Sequence, residues 1–269
     1  MKLDNLSVRF LSVAPLVPLL VLAIEWERPI GVWAIVFVAT GIALVEYFGM
    51  ALADRTEQIF GVAAGLAAAA LAYWGGPAAI AIVPLVVIVP ALFYLFRFGD
   101  LATVMQRIGL TSFGLIYAGL MATFLALLKR DGGAHGASWV LLTLMTAWFG
   151  DTGAYLAGRF LGKAKLYPAI SPGKTRAGAI GGLVGSFLAA VLGNLWFFPA
   201  LGWVDGAIVT IAGGVLGQCG DLVESMMKRT FGVKDSGKLL PGHGGILDRI
   251  DAVIFIAPFH YAFMMLVWR

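Results

Sequence analysis

Apolar residues fall in long blocks along this chain, and the short breaks between the blocks hold most of the charge. A helix needs roughly 20 consecutive apolar residues to cross a hydrocarbon core of about 30 Å. Blocks of that order lie near 10–25, 30–52, 58–74, 78–96, 108–128, 137–157, 178–198, 206–225 and 251–268. The pattern predicts an all-α, polytopic integral membrane bundle of about nine transmembrane helices. Residues 1–130 form an N-terminal set of about five spans. Residues 131–269 form a C-terminal catalytic region with two polar loops, 158–177 and 226–250. The first block follows Lys2 and Arg9 as a secretory leader would, yet it lacks a small-x-small cleavage site and runs into Glu25-Trp26-Glu27. It reads as a retained span.

Composition agrees with this reading. Of 269 residues, 60% are apolar and 13% charged, against about 25% charged in soluble domains, and the mean hydropathy is +0.91. A water-soluble fold is excluded. With alternating breaks, 15 of the 19 Lys and Arg fall on the side of the N-terminus. Short cytoplasmic loops carry the excess positive charge, so the N-terminus is expected in the cytoplasm. Ten of those fifteen cations sit in the two polar loops, more than topology alone needs. Such loops suit a polyanion near the membrane surface, although anionic headgroups satisfy them too. The single Cys219 cannot form an internal disulfide and reads as a small packing residue. Glycines at 178, 181, 182, 213, 214, 217 and 220 fit close helix packing in lipid.

Four carboxylates, Asp151, Asp221, Glu224 and Asp248, lie inside or at the ends of spans, where ionisable groups are costly and face a cavity, a partner or a metal. Gln218, Asp221, Ser225 and Lys228 follow helical spacing and share one face. Asp248 and Asp251 open the last span. They are either first-turn carboxylates favoured by capping and the helix dipole or, with Asp221, ligands for Mg²⁺, which prefers a few oxygens and leaves room for substrate phosphates. The run Ser171-Pro172-Gly173-Lys174-Thr175 has Pro168 where a P-loop needs glycine. Ser171 is expected as an N-cap with Pro172 at the first helical position, which puts Lys174 and Arg176 in a first turn able to grip phosphate. His243 stands apart from His135 and His260 by predicted face, so no zinc cluster is expected.

The stretch Ser225-x-x-Lys228-Arg229-x4-Lys234-Asp235, followed by Pro241-x-His243-Gly244-Gly245-x-x-Asp248-Arg249-x-Asp251, resembles the signature of the phosphatidate cytidylyltransferase (CDP-diacylglycerol synthase) family over 27 residues. The run Asp151-Thr-Gly-Ala-Tyr155, Gly158-Arg159, Gly162-Lys163 and Ser171-Pro172-x-Lys174-Thr175 is similar to that family's second block. Where members often read Ser-Pro-Lys-Lys-Thr-x-Glu-Gly, Gly173 and Ala177 stand here.

The resemblance implies transfer of CMP from CTP to phosphatidic acid within the bilayer. Mg²⁺ would bind Asp221, Asp248 and Asp251, with room for a second cation. Lys228, Arg229 and Arg249 would serve the chemistry. Ser171, Lys174, Thr175, Ser225, Lys234, Asp235, His243 and Asp151 would contact substrate. The resemblance implies a multi-pass protein of a bacterial inner membrane with its site facing the cytoplasm, and it is compatible with a homodimer; no nucleic-acid partner is expected. Alternatives stay open: a related enzyme acting on another membrane lipid phosphate, or an ion-coupled transporter, although paired broken helices in two related halves are not evident. An intramembrane aspartyl protease fails on Gln218, where its Gly-x-Gly-Asp pattern needs glycine.

Overall fold

The computed structural model of the protein describes residues 16–237 and 244–268. Helices dominate, as the apolar blocks predict. In chain order they are α1 (Leu16–Glu25), α2 (Ile30–Ala51), α3 (Arg55–Trp74), α4 (Ala78–Phe96), α5 (Leu101–Asp131), α6 (Gly136–Leu161), α7 (Arg176–Phe197), α8 (Trp203–Thr230) and α9 (Leu247–Leu266). Among the described residues, the seven helices other than α1 and α6 are long and apolar enough to cross a membrane. The chain is a multi-pass helical membrane protein. Helix α1 has ten described residues, and the block read at 10–25 lies partly outside the described residues. Helix α6 has 26 residues, but Asp151 and several glycines dilute its apolar character.

Helix ends differ from the apolar blocks in one consistent way: the helices run on into the polar breaks. At 1.5 Å per residue, the 28 residues of α8 extend about 42 Å, beyond the hydrocarbon core. Lys228 and Arg229, expected in the 226–250 loop, therefore stand with Ser225 on the last turns of α8. Asp248, Arg249 and Asp251 belong to the first turns of α9.

The chain divides into two compact units. In the first, built from Trp33–Thr123 with Asp235–Asp248, the core holds Leu44, Tyr47 and Phe48, all fully buried. Glycines make room for those rings: a Cβ at Gly61 would overlap Phe48, and one at Gly114 would overlap Tyr47. A buried polar network ties α3, α4 and α5. Arg107 pairs with Glu57 at 2.5 Å. The Tyr94 hydroxyl donates to Glu57 Oε2 at 3.2 Å and lies 3.1 Å from Thr111 Oγ1. Asp54 caps α3 by accepting from the amides of Thr56 and Glu57. Those bonds, the Glu57 amide first, hold its carboxyl below the ordinary range.

The second unit comprises Val21–Val32, Phe124–Lys234 and Arg249–Arg269. Here α6 and α7 approach along a track of glycines. A Cβ at Gly185 would overlap the Phe149 carbonyl, and one at Gly153 would overlap the Gly181 carbonyl. Such approach is available only to residues without side chains. The fully buried His260 joins three helices, with its ring 2.8 Å from Thr143 Oγ1 and 3.3 Å from the Val209 carbonyl. That accounts for one histidine without a metal. Cys219 is exposed on α8, which corrects the expectation of a packing role: helical rotation turns it away from the glycine face.

Between α6 and α7 the chain forms an antiparallel hairpin, β1 (Lys165–Tyr167) with β2 (Ser171–Thr175). The N-cap expected at Ser171 is therefore corrected. Thr175 caps α7 instead, with its Oγ1 accepting from the Gly178 amide at 3.0 Å. Pro172 has no N–H to give, which an edge strand tolerates, and both Ser and Thr satisfy the cap rule. Strand pairing with 165–167 decides between them.

Candidate active site

The second unit gathers most of the chemistry. Helix α8 projects Asp221 from its C-terminal half, and the hairpin brings Lys174 to it: Nζ lies 2.6 Å from Asp221 Oδ2. Both side chains keep roughly a third of their surface, 26% and 35%, so the pair stays open to a ligand. One turn on, Glu224 is 1% exposed and pairs with Lys228 at 2.5 Å. Helix α9 supplies Asp251. One carboxylate oxygen from each of Asp221, Glu224 and Asp251 lies within 4.8 Å of the others.

That trio offers only oxygen donors. Mg²⁺ takes such ligands from one or two carboxylates and fills the rest of its shell with water and phosphate oxygens. The donor chemistry and the clustering fit a divalent cation. Three carboxylates this close also repel one another, and Lys174 and Lys228 offset part of that repulsion.

A cleft of about 320 Å³ opens beside the trio. Asp151 on α6 and Asp221 on α8 line it with Arg159, Lys174, Thr175 and Gln218. Arg159 donates to the Tyr155 hydroxyl at 2.9 Å, and Gln218 donates to the Ala179 carbonyl at 3.0 Å, pinning α8 to α7. Gly173 also lines the cleft, with open space where a Cβ would go. The arrangement can hold a multiply charged phosphate ligand between cations while a metal sits on the carboxylates. The spacing that put Gln218, Asp221, Ser225 and Lys228 on one face corresponds to a single helix here, although Ser225 reaches Asp221 only at 3.5 Å.

The remaining predicted residues divide. Arg249 is exposed but stands near enough to Asp151 to offset its charge, whereas Arg229 and Lys234 are exposed, and Arg229 donates to the Val233 carbonyl at 3.2 Å. Ser171 begins β2. His243 lies outside the described residues. Asp235 is exposed in the first unit. Asp248 belongs to that unit too, and its Oδ2 accepts from the Ser236 amide (3.0 Å), the Ser236 hydroxyl (2.9 Å) and the Gly245 amide (2.8 Å). It organises its own loop, and the carboxylate trio does not include it.

Lys174 and Arg159 thus line one cleft with Asp221, and the all-oxygen trio lies beside it. The model of the Cytidylyltransferase family matches residues 7–267. The chain belongs to that family. Among curated relatives, the phosphatidate cytidylyltransferase of Staphylococcus haemolyticus is 43% identical over 166 residues, 61% of this chain and 58% of the relative. That of Bacillus subtilis is 39% identical over 161 residues, 60% of each chain. That of Staphylococcus aureus strain COL is 50% identical over 127 residues, 46% of this chain and 48% of the relative. The chain thus matches about half to three fifths of the length of these cytidylyltransferases.

Two carboxylates, one in each unit, escape a reading of motifs. Glu224 was visible as an intramembrane carboxylate, but its spacing of four from Lys228 reads as an ordinary helix pair. Glu46 lies in α2, far from either motif block. An ionisable residue within an apolar span was the only signal for it.

Proposed function

We propose that this chain transfers the CMP group of CTP to the phosphate of phosphatidic acid, giving CDP-diacylglycerol and pyrophosphate. The observation that carries the reading is the carboxylate trio of Asp221, Glu224 and Asp251, with Asp221 paired to Lys174 on the wall of a cleft that Arg159 also lines, in a chain of the Cytidylyltransferase family. A lipid phosphate oxygen attacks the α-phosphorus of the nucleotide, the bond to the β-phosphate oxygen breaks, and pyrophosphate leaves. The nucleophile is already ionised near neutral pH, since the second pKa of a phosphomonoester is about 6. No strong general base is required, and catalysis rests on positioning and charge neutralisation.

Asp221, Glu224 and Asp251 would hold Mg²⁺, which when bound offsets charge on the nucleotide phosphates. Lys174 and Arg159 meet the triphosphate in the cleft. Lys228 pairs with Glu224, Arg249 offsets charge beside Asp151, and Arg229 and Lys234 draw anions from solution. Ser225 and His243 remain polar contacts in this reading. Asp248 acts through the loop it organises.

The charge distribution supports an N-terminus in the cytoplasm and nine spans, with α1 and α6 crossing as well. The hairpin and the C-terminal end of α8 then face the cytoplasm, where a soluble nucleotide and a diacyl lipid can meet. The test is direct: purified protein in detergent receives labelled CTP, Mg²⁺ and phosphatidic acid. The expected product is a lipid-linked CMP with release of pyrophosphate. Failure with phosphatidic acid and with every other lipid phosphate tried would overturn the proposal.

A further inference from the structure

Glu46 is a carboxylate within an apolar helix, in the C-terminal part of α2, and among the described residues its hydrogen bonds run to one remote loop. Its Oε1 accepts from the Ile246 amide at 3.0 Å. Its Oε2 accepts from the Leu247 amide at 2.8 Å and from the Ser236 hydroxyl at 3.1 Å. Leu247 is the first residue of α9, so Glu46 caps α9 from 201 residues upstream in the chain. The first amides of a helix have no partner within it, and a carboxylate there also gains from the helix dipole.

Asp248 completes the arrangement from the other side, accepting from Ser236 and Gly245. The Ser236 hydroxyl has one proton and two carboxylates within reach, so it bridges the pair. Room for both is made by glycine. A Cβ at Gly237 would overlap Glu46, one at Gly245 would overlap both Glu46 and Ser236, and Gly244 adopts φ +81°, which disfavours any side chain. The Gly244-Gly245 pair before Asp248 thus has a physical reason: it lets two carboxylates close on one backbone turn.

We infer that Glu46 is a positioning residue for the reaction, fixing the start of α9 and through it Asp251. Asp251 stands one helical turn after Leu247 on the same helix, and it belongs to the carboxylate trio. A misplacement of about an ångström at a reacting centre is costly. The inference rests on the cytidylyl-transfer reading for its kinetic part, whereas the lock itself is a matter of structure.

The test uses full-length Glu46→Gln in detergent with two readouts. Gln keeps the size but can accept from fewer of the three donors and carries no charge. Hydrogen exchange at the Ile246 and Leu247 amides is expected to speed up roughly tenfold or more. With CTP and phosphatidic acid, kcat is expected to fall roughly tenfold or more, with the KM for CTP changed less than about threefold. Unchanged exchange would overturn the lock. Faster exchange with wild-type kcat, or a loss carried wholly by KM, would overturn the positioning role. If Glu46→Gln does not fold, Ser236→Ala removes the shared hydroxyl and is judged by the same criteria. Wild-type protein without cytidylyl transfer would remove the kinetic part, and exchange would still decide the lock.

Discussion

A single residue type can mean different things at different depths of this chain, and the carboxylates show it. Asp221 and Asp251 were legible as candidate ligands from their spans and spacing. Glu224 joins the clustered trio, while the Oδ2 of Asp248 accepts from loop donors. Backbone amides are invisible to motif reading, so the loop role of Asp248 left no trace in its spacing. The trio makes a prediction with a readout independent of turnover. Mg²⁺ is expected to raise the thermal midpoint of the wild-type protein by preferential binding to the folded state, about 2.7 kcal/mol at a hundredfold excess over Kd. Asp251→Asn is expected to lose most of that shift, and Asp221→Asn to lose it together with roughly 100-fold in kcat. An unchanged Mg²⁺ shift in both would remove the metal site. Glu224→Gln adds a second effect, because Lys228 is only 12% exposed and loses its close carboxylate. Breaking a buried pair from one side costs about 3 kcal/mol, so this variant is expected to melt well below the wild type even without metal.

At the scale of elements, the long helices were legible because an apolar block in lipid has few alternatives: every backbone group must be satisfied within the helix. The hairpin was not. Three residues paired with five leave no periodic trace, and Ser171-Pro172 is as good a helix start as a strand start by local rules. What the glycines do between α6 and α7 was legible in kind, and the structure assigns the pairs. This close approach matters to the site because α6 carries Asp151 and α7 follows directly on Lys174. Gly185→Val is expected to force the two helices apart against the Phe149 carbonyl, lowering stability by about 1–3 kcal/mol, the range for overpacking. Gly173→Ala, in open space, is expected to leave the thermal midpoint unchanged. Equal midpoints for the two variants in the same detergent would show that the glycine track is not a close-packed contact.

For the whole molecule, the question is which way the bundle faces, since a soluble nucleotide reaches only one side. In the proposed orientation the breaks after α6 and after α8 share the cytoplasmic face with the N-terminus, and if α1 is a span this requires α6 to cross too, despite its lower hydropathy. Its 26 residues extend about 39 Å, enough to span, and Asp151 is accommodated because it lines a polar cleft rather than lipid. The lone cysteine makes the orientation measurable. In a Cys219→Ala background, one new cysteine is placed at Ala134, before α6, and in a separate protein at Lys163, after it; both positions are exposed. When the protein is expressed in a bacterial inner membrane, an impermeant maleimide added to spheroplasts is expected to label Ala134→Cys and spare Lys163→Cys. Inverted vesicles are expected to give the reverse. Labelling of both from the same face would mean that α6 does not cross, and an exchange of the two patterns would put the carboxylate trio on the side that CTP does not reach.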